Sequence, residues 1–335
     1  MASFVDDEFQ SANIFIPEEW SDAADSIAYD SNTSPPPVAF VCGPKNSGKT
    51  TFSRLLVNVL LQRYKKVAYL DTDVGQTEFT PPGLLSLTTI DKITSDLSIP
   101  CLKTPESLLH ETGKATFFFL GKFCIGYDIL VDIIKYISPT HVVKISISSV
   151  SKNLPAGAFW LDDDNSDVAT VVEVNSARRD SFNRSVLVQK DARLLRDLRV
   201  MAYFRQCFPS DMKITTIKEL SRALAAHPPY EIPISSIKIK HLHCEVPKSE
   251  VLYSLNATIV GLAVDSENFP DCMGLGIVRA IDTLKHVLYV LTPVPKSSLQ
   301  KVDLLLQGFV EIPTCLLQVQ GCISPYMSAD VLPSA

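Results

Sequence analysis

The stretch GPKNSGKT at residues 43–50 constrains the fold of this chain more than any other feature. It matches the pattern G-x-x-x-x-G-K-[ST], in which a glycine-rich loop between a strand and a helix cradles phosphate groups. The apolar run at 38–42 predicts the strand, and apolar residues from Phe52 onward recur at helical spacing. Since both flanks have the required form, a chance match is the weaker interpretation, and the sequence predicts a nucleotide-binding P-loop.

The residue types of this loop suit phosphate binding. Gly43 and Gly48 allow the backbone to turn so that its N–H groups point at phosphate oxygens, and the following helix adds a partial positive charge. Lys49 is expected to reach the β- and γ-phosphates of a nucleotide, and the Thr50 hydroxyl is expected to ligate Mg²⁺.

A second apolar run, at 67–70, predicts a strand that ends in the stretch DTDVGQ. A carboxylate at the end of a strand beside a P-loop is where such proteins hold Mg²⁺ or orient a nucleophile. Asp71 and Asp73 are both candidates. One of the two can instead cap a turn, because aspartate is a common turn residue.

Downstream patterns divide the chain into three parts. Strand-like and helix-like runs alternate up to about residue 174 and predict an α/β fold with a mostly parallel sheet. From about residue 232, short strand-like runs separated by Gly and Pro predict a smaller β-rich C-terminal domain. We therefore expect an N-terminal arm over 1–37, either flexible or a strand of a neighbouring lobe, a nucleotide-binding domain over 38–228 and the β-rich domain over 229–335.

Composition limits the cellular setting. The net charge of −6 gives no overall nucleic-acid signature, so any such contact requires a local basic patch. The eight cysteines include no C-x-x-C pair and indicate reduced thiols. We expect no signal peptide and no membrane span, since the longest largely apolar stretch, 251–264, is too short. These features predict a soluble protein of the cytosol or nucleus.

One predicted helix, at about 188–207, concentrates positive charge. Its residues Arg193, Arg196 and Arg199 fall within one arc, with leucines in the adjoining arc. This pattern is typical of an arginine lid over phosphates or a nucleic-acid strand, and equally of a solvated helix face. The alternation of His241, His243 and Cys244 fits a strand better than a metal site.

Several stretches together resemble the polynucleotide 5′-hydroxyl kinases of RNA processing, and most closely their nucleolar branch, which works in pre-ribosomal RNA processing. The resemblance covers roughly residues 38–330 and implies a P-loop kinase fold. The matching stretches are 43–51, 69–76, 81–83, 138–143, the end of the arginine helix at 202–204, 274–276 and 291–293.

The resemblance implies a set of site residues. Lys49, Asp73, Arg196 and Arg199 would be catalytic, with the two arginines as lid residues. Asp73 would serve as metal partner or as base for the RNA 5′-hydroxyl, and Thr50 with Asp73 would hold Mg²⁺. The residues that would bind ATP are Gly43, Pro44, Lys45, Asn46, Ser47, Gly48, Lys49, Thr50 and Thr51.

One departure from the family pattern affects RNA binding. The family has a T-x-G-W stretch followed by V-K-G, which clasps the RNA end, before the position of Gly126. Here the chain runs from Gly121 to Gly126 without it, and the only tryptophans, Trp20 and Trp160, lie elsewhere. The sequence therefore predicts an internal deletion that removes the clasp and a core strand.

The main functional hypothesis is an ATP-dependent kinase that phosphorylates RNA 5′-hydroxyl ends in rRNA processing, in the nucleus and nucleolus, with an rRNA-processing endonuclease complex as partner. An ATP-binding subunit of a pre-rRNA or pre-mRNA cleavage complex, with little or no turnover, is the alternative. A small-molecule kinase or regulatory NTPase is disfavoured by the β-rich C-terminal domain and the arginine patch.

Overall fold

A computed structural model describes residues 16–30, 36–93, 116–119, 127–147, 169–177, 192–267 and 270–317 of the chain. The described residues form two compact units. The first holds those up to Val67 together with 91–93, 131–147 and 169–177, and the second holds the rest. Because each unit is assembled from separate segments, the domain boundaries expected after residues 37 and 228 remain predictions.

The helices and strands are numbered in chain order. Their bounds are α1 (Glu18–Ala28), β1 (Ala39–Cys42), α2 (Lys49–Arg63), β2 (Val67–Asp71), β3 (Leu84–Ile90), β4 (Thr116–Phe119), α3 (Tyr127–Ile137), β5 (His141–Ser146), β6 (Thr170–Asn175), α4 (Ala192–Arg205), α5 (Ile217–Ala226), β7 (Tyr230–Pro233), β8 (Lys238–His241), α6 (Val251–Leu255), β9 (Ile259–Val264), β10 (Asp271–Asp282), β11 (Val287–Leu291), α7 (Lys296–Leu299), β12 (Leu304–Gln307) and α8 (Thr314–Leu317). Among the residues described, no helix has both the length and the apolar character needed to cross a membrane.

The first unit contains a parallel sheet in the order β1-β5-β6. Helix α2 buries Phe52, Leu56 and Leu60 in a core shared with β5 and β6, as the helical spacing predicts. This arrangement places the loop after β1 at the carboxyl end of a parallel strand, which is the usual position of ligand sites in open α/β sheets.

The N-terminal arm differs from the prediction, because residues 18–28 form helix α1. Its apolar residues Trp20, Ala23, Ala24 and Ile27 recur at helical spacing and are buried in the same core as α2. Acidic residues lie between these apolar residues, so the composition of the arm is polar although the spacing of its apolar residues is helical. The segment is therefore a packed part of the first unit over these residues.

The second unit contains the strand that precedes DTDVGQ and the β-rich part of the chain. One sheet has the order β2-β3-β4, with β4 antiparallel to β3, and the other has the order β7-β11-β10-β9-β12-β8. The β-rich C-terminal domain is thus confirmed. Residues 309–322 are one of the strand-like runs that the sequence predicts here, but this prediction is wrong over 314–317, where Pro313 is followed by the short helix α8.

Candidate functional site

The P-loop occupies the turn between β1 and α2. Gly48 is the N-cap of α2 and has a φ of 98°, a left-handed conformation that favours glycine. A Cβ at Gly43 would lie 2.5 Å from the carbonyl oxygen of Ile145 on β5. Both glycines are therefore required by local geometry, one by its dihedral angle and one by close backbone approach.

Lys49 begins α2, and its side chain turns back across the loop. Its Nζ donates hydrogen bonds to the carbonyl oxygens of Gly43 at 3.0 Å and Pro44 at 2.7 Å. Lys45 and Asn46 are exposed at the tip of the loop, and Thr50 is exposed in the first helical turn. The loop thus combines an ammonium group, a hydroxyl and the N-terminal N–H groups of a helix, which together suit a phosphate group.

Ser47 supplies a further observation about what the loop fits. Its Oγ is buried and has no hydrogen-bond partner among the described residues, while its carbonyl oxygen accepts a hydrogen bond from Ser176 Oγ at 2.9 Å. A buried hydroxyl without a partner is costly, so a polar ligand in the loop would relieve it. The residues present therefore fit the phosphate chain of a nucleotide.

The two aspartates after β2 have different environments. Asp71 is buried, and its carboxylate oxygens accept hydrogen bonds from the backbone N–H groups of Asp73 at 3.1 Å and Glu78 at 2.6 Å. Burial raises the pKa of Asp71 to about 7, against the opposing effect of these hydrogen bonds. Asp71 is therefore the aspartate that organises the turn.

Asp73 is exposed at the next turn. Its Oδ1 accepts a hydrogen bond from the backbone N–H of Gln76 at 3.1 Å, and its carbonyl oxygen accepts one from the same N–H at 3.0 Å. The side chain is accordingly held by a local turn while its carboxylate stays in contact with solvent. Such a carboxylate could contribute a ligand to Mg²⁺, which commonly takes one or two protein carboxylates beside phosphate oxygens and waters.

The arginines of α4 are not equivalent. Arg196 and Arg199 are half-buried, whereas Arg193 is exposed and lies 3.8 Å from the carboxylate of Glu311, itself exposed. A solvent-exposed pair of this kind contributes little stability. Arg205 instead donates to the carbonyl oxygens of Phe208, Pro209 and Met212. It therefore stabilises the turn that follows the helix.

The apolar face of α4 also differs from the predicted arc. Leu194 and Leu198 are exposed, and the buried residues are Val200, Met201, Tyr203 and Phe204 in the second half of the helix. The sequence places Leu194, Leu195, Leu198, Met201 and Ala202 in the arc beside the arginines. The buried residues of α4 are instead those of the helical turns nearest the core.

Three of the stretches that carry the family resemblance meet at one buried point. The Tyr203 hydroxyl accepts a hydrogen bond from the backbone N–H of Leu275 at 2.8 Å, and Thr292 Oγ1 donates to the carbonyl oxygen of Leu275 at 2.7 Å. A Cβ at Gly274 would lie 2.6 Å from the Tyr203 hydroxyl oxygen. This contact anchors the end of the arginine helix to β10.

The candidate residues are divided between the two units. The P-loop with Lys49 and Thr50 belongs to the first, whereas Asp73, Arg196 and Arg199 belong to the second. The sequence also has four basic residues just before the arginines of α4, namely Arg178, Arg179, Arg184 and Lys190. These residues and the predicted deletion site at 121–126 lie outside the described residues.

Sequence reasoning missed the environment of Trp20. Its Cη2 atom lies 2.6 Å from the position that a Cβ at Gly48 would take, so the indole ring contacts the P-loop directly. The helical spacing of the apolar residues after Trp20 is the signal that could have revealed it.

Part of the chain matches two family models. A model described as "NOL9-like, C-terminal domain" matches residues 225–313, and one described as "mRNA cleavage and polyadenylation factor CLP1 P-loop" matches residues 43–123. The two matched ranges contain the β-rich part of the second unit and the P-loop with the DTDVGQ turn.

Similar proteins and structures agree with these matches. The chain is 53% identical to the polynucleotide 5′-hydroxyl-kinase NOL9 of Arabidopsis thaliana, over 96% of this chain and 97% of the relative. It is 30% identical to the protein of the same name from Danio rerio, over 88% of this chain but only 49% of that relative. It thus spans about half of this longer relative. A chain of the wild-type Clp1p–Pcf11p complex shares the fold, with a TM-score of 0.55 and 15% identity over 87% of this chain and 77% of that one.

The alignment with the plant relative bears on the predicted deletion. It extends over 361 positions, more than the 335 residues of the chain. The relative therefore carries internal residues that this chain lacks, as an internal deletion requires. With more than half of its residues identical across nearly the full length of that relative, the chain belongs to the NOL9 family of polynucleotide 5′-hydroxyl kinases.

Proposed function

We propose that this chain transfers the γ-phosphate of ATP to 5′-hydroxyl ends of RNA. The observation that carries the proposal is the phosphate-binding loop, in which Lys49 lies across the loop carbonyls and Ser47 presents a buried hydroxyl. The Arabidopsis relative, which aligns with 96% of this chain, is named a polynucleotide 5′-hydroxyl kinase, which supports transfer to a nucleic-acid end over hydrolysis alone.

The P-loop residues Gly43 to Thr51 are assigned to ATP. The Lys49 ammonium would exchange its two carbonyl contacts for phosphate oxygens, since a charged acceptor makes the stronger hydrogen bond. Thr50 and Asp73 are assigned to Mg²⁺, which, when bound, neutralises charge on the phosphate oxygens during transfer. Both side chains are exposed in the structure, which is compatible with ligation.

Asp73 is also assigned the task of orienting the attacking hydroxyl. Its exposed carboxylate supports this choice over Asp71, whose oxygens are occupied by backbone N–H groups. A carboxylate that accepts the proton of the attacking oxygen assists phosphoryl transfer. Asp73 is thus proposed as the functional carboxylate, and Asp71 as the residue that shapes its turn.

Arg196 and Arg199 are proposed as lid residues over the transferring phosphoryl group. They are half-buried on α4, and the Tyr203 anchor restrains the same helix one turn further on. Phosphoryl transfer gains from donors held in advance at the place where negative charge develops. Arg193 is a weaker candidate because its guanidinium lies near Glu311.

The resemblance to the nucleolar branch of the family supports a proposal for the biological setting. We infer an rRNA-processing role in the nucleolus, with an endonuclease complex as partner. The Clp1p neighbour was solved in complex with Pcf11p, which supports work inside an assembly. The competing function, an ATP-bound subunit with little turnover, draws support from the internal residues that this chain lacks.

Transfer of labelled γ-phosphate to an RNA oligonucleotide separates the two functions. The chain is incubated with labelled ATP, Mg²⁺ and an oligonucleotide that carries either a 5′-hydroxyl or a 5′-phosphate. We expect label only on the 5′-hydroxyl RNA and a loss of transfer in Lys49→Ala. ATP binding that is sensitive to Lys49→Ala, without any transfer, would favour the subunit with little turnover.

A further inference from the structure

Helix α1 contacts the P-loop through one side chain. Trp20 is 1% exposed, and its indole ring occupies the space where a side chain at Gly48 would be. Gly48 precedes Lys49 and begins the helix whose N–H groups are expected to face phosphate. The ring therefore limits the movement of the loop at the residue where the loop becomes a helix.

The same tryptophan is fixed on a second side by the end of β6. Its Nε1–H donates a hydrogen bond to the carbonyl oxygen of Asn175 at 2.7 Å, and Glu19 Oε1 accepts one from the Asn175 N–H at 3.0 Å. The next residue, Ser176, donates to the Ser47 carbonyl oxygen at 2.9 Å. These contacts form a closed circuit of three elements: α1 is bonded to the end of β6, the residue after β6 is bonded to the loop, and the loop contacts α1.

Packing holds α1 in place around this circuit. The Trp20 ring meets Phe52 of α2 edge to face, with ring centroids 5.5 Å apart, and Ala24 and Ile27 are fully buried in the same core. Such aromatic pairs and buried apolar residues restrain a short helix far better than its own hydrogen bonds do. Helix α1 is thus a fixed support for the loop.

We propose that Trp20 is a positioning residue for ATP, which holds Gly48 and the first turn of α2 in the conformation that binds phosphate; this deepens the proposed kinase function and rests on it. A loop with two glycines loses much backbone freedom when it is ordered around a ligand. If the protein restrains the loop before ATP binds, this loss of conformational entropy does not weaken ATP binding. Glu19 has a supporting role, because it holds the strand end to which Trp20 is bonded.

The first test compares Trp20→Leu with Ile27→Ala. Both substitutions remove buried volume from one core, but it is Trp20 that supplies the three atoms nearest to a Cβ at Gly48. ATP affinity is measured by calorimetry at a temperature where both variants are folded. We expect Trp20→Leu to weaken ATP binding about tenfold. Without the ring one backbone residue of the loop becomes free, and ordering one residue again on binding costs about that factor in affinity. Ile27→Ala should leave it within about twofold although it also lowers stability.

A second, milder pair of substitutions tests the proposal even if the Trp20→Leu variant does not fold. Glu18 and Glu19 are both exposed in the first turn of α1, so their effects on the helix dipole are alike, but only Glu19 bonds Asn175. Glu19→Gln should weaken ATP binding about two- to fivefold, as loss of a charged hydrogen-bond acceptor implies, and Glu18→Gln should not. Equal affinities in the two glutamine variants would overturn the proposal.

The kinetic readout separates positioning from stability and from the kinase function itself. In Trp20→Phe, which keeps a ring but loses the N–H donor, we expect a raised KM for ATP with an unchanged kcat and an unchanged KM for RNA. A lowered kcat at saturating ATP would contradict a role confined to positioning the loop. The calorimetric comparison needs no phosphate transfer, so failure of the kinase function would leave it valid. Conversely, an active kinase with unaltered ATP binding in Trp20→Leu would refute this proposal alone.

Discussion

The buried carboxyl group of Asp71 makes the stability of the protein depend on pH in an unusual direction. Its pKa is raised from 3.8 to about 7, mainly because burial disfavours the charged form. In the unfolded chain the group titrates near its ordinary value. Between these two values the folded state therefore binds one proton that the unfolded state does not, and folding is favoured by low pH.

The magnitude follows from the size of the shift. Each pKa unit corresponds to about 1.4 kcal/mol, so the free energy of unfolding should fall by about 3 kcal/mol between pH 5 and pH 8 on account of Asp71. The loss should level off above pH 7, where the folded group is already charged. Asp71→Asn removes the titration, so its free energy of unfolding should lack this decline.

Urea unfolding at pH 5, 6, 7 and 8, at constant ionic strength and without Mg²⁺ or nucleotide, measures the difference. The amide of the variant can accept only one of the two backbone N–H bonds, which costs similar stability at every pH, so the comparison uses the change with pH. Asp282→Asn is the matched control. Backbone N–H groups of Lys285 and Leu284 lower the pKa of Asp282, so its contribution to stability is lost only in more acidic solution. Parallel profiles for the natural chain and Asp71→Asn would refute the reasoning.

The remaining predictions concern catalysis and the predicted deletion. Asp73→Asn should lower the rate of phosphate transfer while the melting temperature holds or rises, because the substitution removes an exposed charge and leaves the packing unchanged. Arg196→Ala and Arg199→Ala should each lower single-turnover rates, and an arginine that acts on the transition state is worth about 10³–10⁵ in rate; unchanged rates in both would mean a solvated helix face. Tyr203→Phe should lower the free energy of unfolding by about 1–3 kcal/mol, since the buried N–H of Leu275 loses its acceptor, as denaturant titration would reveal. Restoring a T-x-G-W segment at the predicted deletion site should tighten RNA binding about five- to a hundredfold in a filter assay, because base–aromatic stacking contributes roughly 1–3 kcal/mol per base; equal RNA affinity would refute a missing clasp.

Local patterns predicted much of the fold. The strand, loop and helix around Gly43 and Lys49 were evident from sequence because each follows from residues adjacent in the chain. The same holds for α3 and β5, which lie where helix-like and strand-like runs alternate in the sequence. The spacing of apolar residues within a short segment indicates whether that segment forms a helix or a strand.

Other features depended on partners far away in the sequence. Helix α1 was predicted as an arm because its charged residues dominate its composition, and only the distant core of α2, β5 and β6 gives Trp20 a place to be buried. The choice between Asp71 and Asp73 depended on which carboxylate meets the N–H of Glu78, seven residues further along. The exposure of Leu194 likewise depends on the elements that pack against α4. Tertiary contacts decide each case, and a single sequence does not specify them.

The strand that leads into the P-loop connects these observations with the missing internal residues. In the part of the chain that the structure describes, β1 pairs with β5 on one side and forms the edge of its three-stranded sheet. All four of its residues are only half-buried, whereas β5 alternates between buried and half-buried positions. Parallel sheets in α/β proteins are normally covered by helices on both faces. The sequence predicts that the deletion removes a core strand, and among the described residues β4 pairs antiparallel with β3. The phosphate-binding loop is thus supported on one side by β5 and β6 and, through Trp20, by α1. Because β1 pairs with one strand among the described residues, we expect the Trp20 contact to be important for ATP binding.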